Sequence, residues 1–129
     1  MAGTFKFELV SPERVLFSED AEQVVVPGIE GDFAVLSGHA PVISTLRPGV
    51  LDVTLPSGKR RIFVKGGFAE VDPERLTILA QNALDVEKVD ANTVAAELSI
   101  AQEELSAAKD DQARMAAEAV IHHLQQIRS

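Results

Sequence analysis

A chain of 129 residues with a formal net charge of −8 has room for one ordinary domain and a small appendage. Its acidity argues against nucleic acid, whose counterions Lys and Arg must displace, and against anionic lipid. The absence of cysteine excludes disulfides and thiolate metal sites, and no apolar run reaches the roughly 18 residues that cross a bilayer. With no charged-then-apolar leader at the N-terminus, the expectation is a cytosolic chain without direct membrane insertion, able to sit on a membrane complex.

From Thr4 to Val89 the pattern is that of short strands. Phe5, Phe7 and Leu9 alternate with Lys6, Glu8 and Val10, a period of two that places the aromatic side chains on a core. Strands are predicted at 15–18, 23–26, 33–36, 42–46, 50–55, 61–65, 68–71 and 76–80, with Phe33 to Leu36 read as buried. Turn residues separate them at Ser11-Pro12, Pro27-Gly28, Ser37-Gly38, Pro48-Gly49, Pro56-Ser57-Gly58-Lys59 and Asp72-Pro73-Glu74. Gly28 and Gly31 can both take positive φ, so Gly28-Ile29-Glu30-Gly31 reads as a tight reversal. Lys59-Arg60-Arg61 reads as a hairpin cap on a solvated edge strand. Many short strands with Gly and Pro turns predict an antiparallel β-sandwich or flattened barrel over residues 1–89.

After Val89 prolines and glycines vanish and alanine becomes abundant, which favours helix. Asp90 is placed to cap a first helix with Val94, Leu98, Ala101, Leu105 and Ala108 on one stripe. Lys109-Asp110-Asp111 breaks the pattern and supplies a second cap. Ala113, Ala117, Val120, Leu124 and Ile127 then repeat the spacing, so residues 90–129 read as an antiparallel α-helical hairpin. A stripe of small alanines buries little area at roughly 25 cal/mol per Å², so the hairpin is expected to be the less stable part.

Gly28 to Pro41, with its Gly38-His39-Ala40-Pro41 end, is followed by Arg47-Pro48-Gly49-Val50-Leu51-Asp52-Val53 and then by Val64-Lys65-Gly66-Gly67-Phe68-Ala69-Glu70-Val71. In this order and spacing the runs resemble the epsilon subunit of F-type ATP synthases, and the resemblance covers essentially the whole chain. It implies a non-catalytic central-stalk (rotor) subunit that couples the gamma shaft to the c-ring during proton-driven ATP synthesis, at the cytoplasmic face of the bacterial inner membrane. The alpha/beta catalytic head is a further implied partner, reached by the hairpin in weak regulation of ATP hydrolysis.

The same resemblance assigns contacts. Glu30, Gly31, Asp32 and Phe33 match the loop that meets the c-ring, with Asp32 as the charged partner, and His39 and Pro41 match the segment that faces gamma. Some members bind ATP through an Ile/Leu-Asp-x-x-Arg-Ala segment, matched here by Val89-Asp90-Ala91-Asn92-Thr93-Val94. Asp90 is kept, but Thr93 stands in place of the arginine, which removes a cation for phosphate. The implication is weak or absent ATP binding and no cofactor.

Read without the resemblance, these residues are plainer. His39 is a structural or contact histidine, since no second histidine or cysteine lies in the β region to share a metal. Glu30 and Asp32 form a solvated turn with no pocket to raise a carboxyl pKa, and Gly66-Gly67 marks a bulge or close backbone approach. His122 and His123 diverge by about 100° on a helix and read as surface or flanking residues. Glu97, Glu103, Glu104, Asp110, Asp111 and Glu118 make the hairpin acidic, which opposes insertion among acidic segments. Two other functions stay open at this level: a small β-barrel enzyme using His39 and a carboxylate, and a free-standing adaptor that binds an amphipathic partner helix.

Overall fold

The computed structural model describes residues 3–128. Ten strands precede two helices: β1 (Phe5–Val10), β2 (Val15–Ala21), β3 (Gln23–Gly28), β4 (Gly31–Leu36), β5 (Val42–Leu46), β6 (Gly49–Leu55), β7 (Gly58–Val64), β8 (Gly67–Asp72), β9 (Arg75–Leu79), β10 (Ala83–Asp85), α1 (Ala91–Ala107) and α2 (Asp111–Arg128). Alternation sets the inner face. Phe5, Phe7 and Leu9 of β1 meet Val24 and Val26 of β3, Leu51 and Val53 of β6, and Leu76 and Ile78 of β9 in one core.

The strand order is β10-β7-β6-β3-β5-β8-β9-β1-β2, with β4 paired to β3, and β2 lies back against β6. The result is a nearly closed sandwich, as the turn-rich pattern predicts. One pair departs from the antiparallel rule: β1 runs parallel to β9. That pairing joins strands far apart in the chain, which local alternation cannot register.

Three predicted reversals are two-residue hairpins, with Gly28 opposite Gly31, Leu55 opposite Gly58 and Asp72 opposite Arg75. Gly31 has φ of 137°, but Gly28 does not take positive φ. Gly28 is glycine for space, because a Cβ there would come within 2.7 Å of the Gly31 carbonyl oxygen and 3.0 Å of the Phe33 ring.

One strand expectation needs correction, and another gains detail. Phe33 to Leu36 is not a buried strand: β4 pairs only with β3, and of these residues Val35 alone is buried. An edge hairpin solvates one of its faces, so only alternate residues reach the core. Lys59-Arg60-Arg61 opens β7 ahead of the stretch that β10 covers: Ala83-Leu84-Asp85 pairs with Ile62 to Val64, and the Val86 amide donates to the Arg61 carbonyl at 2.9 Å. Asp85 takes two hydrogen bonds from Arg60, at 3.0 and 2.5 Å, and Glu87 takes one from Arg61 at 2.8 Å. The Arg60 guanidinium also sits 5.4 Å from the centre of the Phe17 ring. The short basic run therefore pins the strand that leads into the helices.

Asp90 caps α1 as expected, accepting from the Thr93 amide at 2.7 Å, and Asp110 caps α2 by accepting from the Ala113 amide at 2.7 Å. Val94, Leu98 and Ala101 of α1 meet Val120 and Leu124 of α2. The predicted stripes are shorter at their ends: Ala108 lies beyond the last turn of α1, and Ala113, in the first turn of α2, is exposed.

Gly67 tests the reading of Gly66-Gly67 as a close approach. Its φ is 129°, and a Cβ would run into the Leu79 carbonyl of the paired strand. Gly67→Ala is expected to lower unfolding stability by about 2 kcal/mol or more. Urea denaturation with an unchanged midpoint would refute this.

Candidate docking surfaces

Strand alternation places apolar side chains on outer faces as well as in the core. On β7, Ile62 and Val64 point inward, so Phe63 points outward, opposite Val50 of β6 and Leu84 of β10. This row is covered. Phe63 joins the helix cluster with Val94, Leu98, Ala101, Val120 and Leu124, flanked by Val50, Leu84, Val86 and Val89. The hairpin is therefore not a self-contained alanine zipper, and its interior is completed by the sheet.

His123 belongs to the same junction. Its ring centre lies 5.4 Å from that of Phe63, so it packs on the sheet rather than flanking the surface. His122 points elsewhere and is exposed, with its Nε2 3.2 Å from the Gln126 amide nitrogen. Glu97 is also drawn in, forming an ion pair with Lys65 just after β7, where both side chains are largely shielded.

Among the described residues the opposite outer face has no such cover. Register aligns Thr45 of β5, Phe68 of β8, Leu79 of β9 and Val10 of β1 in one row, and Val15 of β2 extends it. Phe68 is 52% exposed, and Ile43 on the same face is 72% exposed. A cleft of about 600 Å³ continues from Phe68 and Leu79 past Pro12 to Ile100 on α1. Sequence reasoning missed this surface. The available signal was Phe68 itself, an aromatic residue out of phase with the inward Ala69 and Val71.

The predicted contact residues gather at another end of the sandwich. Ile29 and Glu30 form the tip of the β3–β4 hairpin, and Ile29 is 56% exposed. Arg47 braces the hairpin from below: one guanidinium nitrogen donates to the Gly28 carbonyl at 2.5 Å and the other binds Asp32. Asp32 is thus already engaged within the chain, and Glu30 is the exposed carboxylate at the tip. The Ile29 amide donates to the Thr45 carbonyl at 2.9 Å, tying the tip to β5.

Phe33 and His39 come together, their ring centres 6.4 Å apart. The His39 Nδ1 donates to the Ala40 carbonyl at 2.7 Å, and Pro41 follows exposed at the start of β5. The two contact sets assigned separately in sequence are therefore neighbours in space.

At the helix entry Asp90 is the cap, and its backbone hydrogen bond from Thr93 holds its carboxyl below the usual range. Thr93 is exposed, whereas Val94 is buried in the helix–sheet cluster. Among the described residues no three His, Asp or Glu side chains converge as a metal site, and no helix is long and apolar enough to cross a membrane.

A rigid sandwich with a braced hairpin tip, one bare apolar face and one face covered by its own helices defines a docking subunit of a larger assembly. Comparison with known proteins identifies the assembly. Residues 4–86 match the family described as ATP synthase, Delta/Epsilon chain, beta-sandwich domain. The ATP synthase epsilon chain of Parvibaculum lavamentivorans is 46% identical over 129 residues, spanning 99% of this chain and 98% of that one. The epsilon chain of Mesorhizobium japonicum is 49% identical, spanning 96% of this chain and 93% of that one. Among solved structures, a chain of the Euglena gracilis mitochondrial ATP synthase aligns with a TM-score of 0.69 at 25% identity, covering 95% of this chain and 78% of that one. A chain in a structure of the Tetrahymena thermophila mitochondrial ATP synthase central stalk and c-ring shares the fold, with a TM-score of 0.65 at 15% identity over 99% of this chain and 98% of that one. The chain belongs to the ATP synthase epsilon chain family and is a non-catalytic subunit.

The brace at the hairpin tip gives a local prediction. Arg47→Ala leaves the Gly28 carbonyl and Asp32 without their partner, yet the pair is about half exposed. Global stability is expected to fall by no more than about 1 kcal/mol. Hydrogen exchange at Ile29 is expected to rise at the same time, and unchanged exchange there would count against the brace.

Proposed function

We propose that the sandwich holds the gamma subunit to the ring of c subunits during proton-driven ATP synthesis, at the cytoplasmic face of the bacterial inner membrane. The observation that carries this reading is the adjacency of the hairpin tip and the Phe33–His39 cluster on one braced end of the fold. Glu30, Gly31, Asp32 and Phe33 meet the polar loops of the c-ring, with Glu30 presenting the exposed charge and Asp32 holding the turn through Arg47. His39 and Pro41 face gamma, and the bare row around Phe68 and Leu79 extends that contact. Coupling of this kind needs stiffness, which the two-residue hairpins and the continuous core supply.

Residues 1–89 and 90–129 act as two units in this reading. The hairpin rests on the sandwich and regulates ATP hydrolysis weakly, because its acidic surface suits acidic segments of the alpha/beta head poorly. ATP binding is weak or absent. Thr93 offers no cation at the helix entry, and Val94, where the family motif has alanine, is used as core.

The cysteine-free chain makes the contacts testable by single thiols. In the assembled synthase, Glu30→Cys is expected to cross-link to a c subunit and His39→Cys to gamma. Cross-linking of Glu30→Cys only to the catalytic head would overturn the assignment. A chain ending at Val89 is expected to leave ATP hydrolysis by the assembled complex within about twofold, and a larger rise would make the hairpin an inhibitor. Calorimetry with ATP and Mg²⁺ is expected to show no saturable binding at micromolar concentrations, and a micromolar dissociation constant would refute the reading of Thr93.

A further inference from the structure

The junction between the helix pair and the sheet carries a titratable ring where an apolar residue would pack more simply. His123 is partly buried on Phe63, at the edge of a cluster otherwise built from Val94, Leu98, Ala101, Val120, Leu124, Val50 and Leu84. The charged groups that bear on it are both cationic or able to become so: His122, whose ring centre is 5.8 Å away on the same helix, and Arg47 on the turn between β5 and β6. The remaining charged side chains on that face of β6 and β7 are Asp52, Arg61 and Lys59, which lie progressively farther from Phe63 along the strands. Lys65 pairs with Glu97 of α1, and Arg61 pairs with Glu87.

We propose that His123 makes docking of the helix pair pH-sensitive: its neutral ring seals α2 on Phe63, and its protonation loosens the pair from the sheet.

The direction follows from linkage. Burial first, then His122 and Arg47, hold His123 below its ordinary value of 6.5 in the docked form. A released helix exposes the ring to water and restores that ordinary value. The docked form thus binds fewer protons than the released one. Docking is fullest above pH 6.5 and weakens as pH falls from there through the depressed value. The device concerns the chain alone and stands whatever the helix pair contacts in the synthase.

Amide hydrogen exchange on the full chain tests it, expressed as protection relative to intrinsic rates. From about pH 7.5 to about pH 5.5, protection at Val120 and Leu124 is expected to fall at least about threefold, while Leu51 and Val53 in the core hold steady. His123→Phe, which keeps a ring on Phe63, is expected to abolish that fall, and His122→Gln to retain it. Parallel behaviour of α2 and β6, no fall, or a fall that survives His123→Phe would overturn the proposal. Titration of the ring by NMR in the unaltered chain decides the matter independently of any variant. His123 is expected to titrate below its ordinary value of 6.5, and a value at or above 6.5 would also overturn the proposal.

Discussion

Phe63 faces outward from the sheet, and the helical half of the molecule is organised around that fact. A phenylalanine buried there contributes about 1.5–3 kcal/mol relative to exposure. With Val50 and Leu84 it forms an apolar row that water would otherwise cover. Val94, Leu98, Val120 and Leu124 supply the cover, and the alanines between them let both helices lie close to the strands. The Arg60–Asp85 and Arg61–Glu87 pairs fix β10 and the segment after it, so α1 starts over the row it must bury. Lys65 and Glu97 close the same junction from its other side.

The second outer face obeys the same constraint without the same remedy. Thr45, Phe68, Leu79, Val10 and Val15 line up across five strands, and no element among the described residues covers them. Contiguous exposed apolar surface of this kind marks a protein contact. In an epsilon chain of the ATP synthase this is the expected economy: one face is closed by the subunit itself and the remaining surfaces are left for the assembly. The braced hairpin tip adds a polar, turn-shaped surface beside Phe33 and His39, so charge and apolar area are presented by different parts of one rigid body.

The helix junction also differs in character from the core. Inside the sandwich every large side chain is aliphatic or aromatic. The junction mixes alanine, a partly buried imidazole and an ion pair, all of which give less per contact than packed leucine or phenylalanine.

Much of this was legible in sequence. Alternation in Phe5-Lys6-Phe7-Glu8-Leu9, the turn pairs at Pro56-Ser57 and Pro73-Glu74, and the two aspartate caps are local signals, and local geometry decides them. The features that were missed or misread lacked such signals. β10 is three residues long, β4 is an edge strand whose composition looks buried, and the parallel β1–β9 pair joins distant segments. The engagement of Asp32 by Arg47, of Glu97 by Lys65 and of His123 by Phe63 likewise joins residues whose separation in the chain carries no periodicity.

By itself, then, the sequence determined the sandwich followed by a helix pair, its turns and caps, and its family. Periods of two and four, glycine and proline chemistry, and short motifs are all properties of neighbouring residues. Only the tertiary structure decided which outer face is covered, which charges are already paired, and that Phe33 and His39 share one surface. Those outcomes depend on how the sheet closes, and closure brings together residues that no local pattern relates.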